Sequence, residues 1–134
     1  MMTNKLLDAF LCSFFATIII GMIVNRLLPT WEGLVTDVGT SGAWMASFTI
    51  HFIFGLAVSA GAILSQILSK NVSVNRKFWV VTSGVIVTLL HLLLLFVQYE
   101  FESYVFFSLL FGMSFVLFLV ARIMWNTLRL NNNF

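Results

Sequence analysis

The amino-acid sequence predicts an all-α membrane protein, a single domain of four transmembrane helices in an antiparallel bundle with both termini in the cytoplasm. Three observations lead there. The 134 residues are 60% hydrophobic and 9% charged, with a mean hydropathy of +1.04, whereas a soluble domain carries about 25% charged residues. Four apolar runs are each long enough to cross about 30 Å of hydrocarbon. The lysines and arginines fall almost entirely on one side of those runs.

The runs are Leu6–Val24, Trp44–Leu68, Phe78–Val97 and Tyr104–Trp125. Backbone groups in lipid must bond within their own segment, so each run is expected to be helical. None shows the apolar/polar alternation of a barrel strand. Pro29 lies between the first two, where its missing N–H costs nothing. The long connection from Asn25 to Ala43 is expected to be a loop at headgroup level, anchored by Trp31. Lys5, Lys70, Arg76, Lys77, Arg122 and Arg129 lie on the side of the termini, against Arg26 alone on the other. That bias places the termini and the loop Ser69–Lys77 in the cytoplasm. Trp44, Trp79 and Trp125 then read as an aromatic belt, and Arg122 as a side chain that snorkels to the inner interface.

Several functions are excluded. A formal net charge of +2 with no basic stripe argues against direct nucleic-acid binding. Cys12 is the only cysteine, so no internal disulfide or CxxC site exists, and it reads as a packing residue. Phosphate-loop, dinucleotide and hydrolase motifs are missing, and the chain reads as non-enzymatic. Asp8 is the only acid inside a span, which disfavours a secondary transporter.

Helices associate in lipid through small and polar residues. The first run offers Ala9, Ser13, Thr17, Gly21 and Asn25, and the second Ser47, His51, Gly55, Ser59 and Gln66. The third offers Gly84, Thr88, His91 and Gln98, and the fourth Ser108 and Gly112. Gly55, Ser59, Gly84 and Gly112 are therefore expected to be helix-packing positions. His51 and His91 stand apart, because an ionisable residue inside a span is a candidate site. Both lie roughly 9–10 Å below the outer interface at about 1.5 Å per residue, so the two can face each other. Three readings compete for them: packing histidines, a pH-responsive pair, and axial ligands of a b-type haem or a metal-binding pair.

The chain resembles a family of small four-helix bacterial membrane proteins of unknown function, encoded beside LytTR-type transcription regulators. The resemblance rests on Gly21-Met22-Ile23-Val24 before an outer loop with proline, and on the small-residue run Phe54–Leu64. It rests also on Trp79 ahead of His91, and on Trp125 with Leu130-Asn131 near the end. It implies a membrane protein that restrains a cytoplasmic DNA-binding regulator. The expected function is accordingly an inner-membrane regulator or sensor that binds a protein partner through Lys70, Asn75, Arg76 and Lys77. The expected cofactor is none. A small haem or quinone protein using the two histidines, and an immunity or pore-forming protein, are the alternatives. The bilayer is the first partner, and the sequence leaves a homo-oligomer open.

Overall fold

The computed structural model describes residues 2–69, 74–96 and 103–132. They form four helices: α1 (Met2–Leu27), α2 (Thr30–Leu68), α3 (Arg76–Phe96) and α4 (Ser103–Asn132). All four are long and apolar enough to cross a membrane. α1 packs against α2 and α3, and α4 packs mainly against α2, while the backbones of α2 and α3 hardly approach one another. Lys5, Asp8, Ser69, Arg76 and Arg122 share one end of the molecule, the basic end, through the polar contacts described below. Arg26, Trp31 and Trp44 lie at the far end.

The first helix inverts the soluble pattern. On α1, Ala9, Ser13, Thr17 and Gly21 recur every four residues and are buried, whereas Leu7, Leu11, Phe15, Ile19 and Ile23 are exposed. Large apolar side chains gain nothing by leaving lipid for protein, so the buried face is the one that lets backbones approach. Four hydroxyls inside the bundle bond locally, Thr17, Ser59, Ser65 and Thr88 donating to the carbonyls of Ser13, Leu56, Ala62 and Gly84, whereas the Oγ atoms of Ser13, Ser83 and Ser114 are buried with no hydrogen-bond partner among the described residues. Ala57, Val58, Ala62, Trp79, Ile86, Leu90, Leu110 and Phe118 fill the core.

Three glycines set the close approaches. A Cβ at Gly55 would lie 3.0 Å from the Phe14 ring and 3.3 Å from its carbonyl oxygen, so α1 seats on α2 there. A Cβ at Gly84 would lie 2.8 Å from the tip of Ile20, where α1 meets α3. A Cβ at Gly61 would lie 2.9 Å from the backbone nitrogen of Phe115 and 3.0 Å from the Ser114 Cβ, which brings α4 onto α2. Ser59 is fully buried on the same helix.

Along the helices themselves the structure corrects three expectations, and a fourth, at Arg122, belongs with the site below. Gly112 has nothing within 4 Å of its would-be Cβ and Ser108 is exposed, so neither marks the packed face of α4. That face is Leu110, Ser114, Phe118 and Arg122, all buried. Two residues of offset turn a helix by about 200°, which puts Ser108 and Gly112 on the opposite side. Trp79 is not an interfacial belt residue but is 2% exposed, packed on Phe78 and Phe118.

The third correction concerns the connection from Asn25 to Ala43, which is helical on both sides of a break at Gly39. Gly39 has φ 81 and ψ 170, a conformation open essentially only to glycine. A continuous helix would separate Trp31 and Trp44 by about 20 Å along its axis. Their rings instead meet edge-on with centroids 4.8 Å apart. The chain therefore folds back at Gly39. Thr30–Val38 forms a short amphipathic segment with Trp31, Leu34, Val35 and Val38 on one face and Glu32, Thr36 and Asp37 on the other. Trp31 is buried against Trp44 rather than serving as a free anchor.

Candidate functional site

Two buried polar centres lie between the helices. The first joins the two histidines. His51 on α2 is fully buried and His91 on α3 is 7% exposed, and their Nε2 atoms are 2.7 Å apart. Gly21 on α1 makes the space, because a Cβ there would overlap the His51 ring and touch Val87. Phe54 stands edge-on to His51 at 5.4 Å, with Phe106 behind it at 5.6 Å. The pair bridges α2 and α3 where their backbones are otherwise apart.

The hydrogen-bond partners decide who donates. His51 Nδ1 lies 2.7 Å from the Ser47 carbonyl oxygen, which can only accept, so Nδ1 carries a proton. A neutral His51 then has a bare Nε2, and His91 Nε2–H donates to it. One added proton is accommodated by placing it on His51 Nε2 and moving the His91 hydrogen to Nδ1, which keeps the bond. A second added proton leaves hydrogens on both Nε2 atoms and two like charges in contact, and the bond is lost. Above the pair, Asn25 Nδ2 donates to Ser47 Oγ at 2.8 Å, and that hydroxyl is 3.4 Å from His51 Nδ1. No acid or second base among the described residues faces the histidines. The charged residues of α1, α3 and α4 sit towards the helix ends, and those of α2, Glu32 and Asp37, lie in the folded-back segment.

This geometry does not suit haem. An iron held by two imidazoles needs their nitrogens about 4 Å apart, twice a metal–nitrogen bond of roughly 2 Å. At 2.7 Å, with Gly21, Val87 and Phe54 closing in, neither an iron nor a porphyrin fits between the rings. Among the described residues no group of three or more His, Cys, Asp or Glu could hold a metal ion.

The second centre, at the basic end, was not legible as a site. Arg122 does not snorkel outward: it is 2% exposed and turned into the bundle. One guanidinium nitrogen donates to Gln66 Oε1 at 2.6 Å and another to the Ser69 carbonyl at 2.7 Å. The guanidinium carbon stands 5.4 Å from the Trp79 ring centroid and 6.0 Å from that of Phe78, within cation–π range. α4 is thereby tied to the C-terminal turn of α2, where carbonyls lack helical partners and a cation is favourable. The available signal was the four-residue series ending at Arg122, combined with a lone Gln66 at the end of the second span.

The expected partner surface lies beside this centre. Asn75, Arg76 and Lys77 are exposed, and Lys70 falls outside the described residues. Asn75 is also structural, since its Oδ1 accepts the Phe78 N–H at 3.0 Å and caps α3. Arg76 donates to Asp8 at 3.3 Å across α1 and α3. A cleft of about 30 Å³, room for a water, lies among Lys5, Asp8, Gln66, Asn75, Arg76 and Trp79. Cys12 borders an apolar groove with Phe15, Ile19 and Val80, among no other thiol or histidine. The chain matches no family model, no curated protein and no solved structure.

Proposed function

We propose that this chain is a proton-responsive integral membrane regulator, an antiparallel bundle with its basic end and both termini in the cytoplasm. One observation carries the reading: two buried histidines joined Nε2 to Nε2 at 2.7 Å across two helices that otherwise scarcely meet. Such a bond survives the first added proton and fails at the second, which must enter beside a like charge. His51 sits on the same helix as Gln66, fifteen residues and about 22 Å further along. Displacing α2 at the histidines therefore acts on the Arg122–Gln66 tie and on the exposed Asn75–Lys77 surface. A protein partner at that surface, such as the transcription regulator implied by the family resemblance, would be held in one state and released in the other.

The test uses a pH-insensitive fluorophore on Lys77→Cys in a Cys12→Ser background, in lipid vesicles. Emission is expected to change as pH is lowered from about 8 to about 4, a span that includes and passes the ordinary histidine range, and to stay flat in His51→Gln and His91→Gln. A flat response from the chain with both histidines intact would overturn the proposal.

A further inference from the structure

We infer that the cavity under the folded-back segment of α2 binds a zwitterion of phosphate and primary ammonium, the headgroup of a phosphatidylethanolamine-type lipid. The site lies at the far end of the bundle and does not depend on the histidines. A half-open cavity of about 580 Å³ lies there, between the end of α1 and the two arms of α2 that meet at Gly39. That volume falls within the span of about 300–1,000 Å³ found for ligand pockets. The apolar run of α1 stops at Val24 and that of α2 begins at Trp44. The cavity therefore lies where both helices leave hydrocarbon, at the level of the headgroups.

Its charges select the ligand. Arg26 and Glu32 both line the cavity, yet among the described residues they form no ion pair with each other. The Arg26 guanidinium is held over the Trp31 ring at 5.6 Å. A guanidinium kept against an aromatic face still directs its N–H fork outward, the geometry that matches phosphate. Thr36 Oγ1 donates to the Glu32 carbonyl at 2.9 Å, so to a ligand in the cavity it offers an acceptor. The Glu32 carboxylate is likewise an acceptor. Such a set suits an ammonium that has N–H groups to donate, and disfavours a trimethylammonium. The Trp44 ring, 41% exposed, adds an aromatic surface that attracts a cation. A purely anionic headgroup would set a second negative charge beside Glu32, and a lone amine a second positive charge beside Arg26. A zwitterion meets both.

The same helix face provides for the rest of a lipid. Thr40 and Trp44 at the cavity are followed at four-residue spacing by Phe48 and Phe52, all exposed. The rings of Phe48 and Phe52 lie 6.3 Å apart and continue the ridge into the span. An acyl chain attached to the headgroup covers this ridge, and a free headgroup leaves it bare.

Native mass spectrometry of the full chain, delipidated in detergent, counts bound lipid as short-chain phosphatidylethanolamine, phosphatidylcholine or phosphatidylglycerol is titrated. The first should bind about tenfold more tightly than either of the others, the effect of one hydrogen bond to a charged group. Glycerophosphoethanolamine, the same headgroup without acyl chains, should displace it only at about tenfold excess or more. Both charged side chains are exposed, so their substitution leaves the packed faces intact. Arg26→Gln should weaken binding about tenfold, and Glu32→Gln should erase the preference over phosphatidylglycerol. Equal binding of the three lipids, or parental binding by both variants, overturns the site. Displacement by glycerophosphoethanolamine at equal concentration overturns the lipid source and assigns the cavity to a soluble zwitterion of the same chemistry.

Discussion

The two polar centres of this bundle solve one problem in different ways. At the histidines, two groups that can each be neutral bridge α2 and α3, and the number of protons they share decides whether the bridge holds. At the basic end, Arg122 stays charged at any physiological pH and is met by an amide oxygen, a helix-terminal carbonyl and two aromatic faces. The first is reversible by chemistry available in water. The second is a fixed pin. In the proposed regulator the first is the joint that yields and the second the one that transmits, and the same helix α2 carries a member of each.

The comparison can be broken most sharply at the pin. Gln66→Leu removes an acceptor from a buried guanidinium and should lower stability by about 1.5–3 kcal/mol, the range for hydrogen bonds to charged groups. Ser47→Ala, which removes a neutral partner of Asn25 at the histidine centre, should lower it by only about 0.5–1.5 kcal/mol. Thermal melts of both variants in the same detergent measure the difference, and equal losses would erase the distinction between the centres.

Packing gives the next effect. Gly61→Leu pushes against the backbone of Phe115 and should destabilise by about 1–3 kcal/mol. Gly112→Leu enters open space and should stay within about 0.5 kcal/mol of the parent. A melt that ranks them the other way would return the packed face of α4 to Ser108 and Gly112.

The histidine bond predicts a smaller effect that depends on pH. The doubly protonated pair loses a hydrogen bond worth about 0.5–1.5 kcal/mol, so stability should fall as pH is lowered from about 8 to about 4, across and below the ordinary histidine value of about 6.5. His91→Gln removes that dependence, and its melting temperature should stay level over the same scan. The smallest effect is expected at the exposed pair Asp8–Arg76, where Asp8→Asn should cost no more than about 1 kcal/mol, and less in high salt. A larger loss would make the pair a third anchor of the basic end.

Much of this was legible in the residues, and for a physical reason. Hydropathy and length depend on composition alone, so the four membrane-length helices follow from the apolar runs without knowledge of their packing. The buried ridge of α1 was likewise readable, because a four-residue recurrence of small residues has one helical face to occupy. The equal depth of His51 and His91 followed from residue counting. Their bond did not, since depth says nothing about rotation about the helix axis, and rotation was set by Gly21 yielding room on α1.

Tertiary structure alone decided the remainder. The helical path through Thr30–Val38 was hidden because proline, three glycines and acids read as a loop, whereas one glycine at positive φ suffices to fold two helices together. Arg122 looked like an interfacial cation because a span end gives a charge an easy route to water. Its inward turn depended on Gln66 and Ser69 arriving from α2 and on Trp79 from α3, partners between 43 and 56 residues distant by sequence number. The sequence by itself determined which segments are helical enough for lipid and which polar groups lie at what depth, since those are sums over neighbours in the chain. Which polar groups meet was decided by the rotation and seating of whole helices, through contacts such as Gly61 on Phe115 that no local pattern encodes.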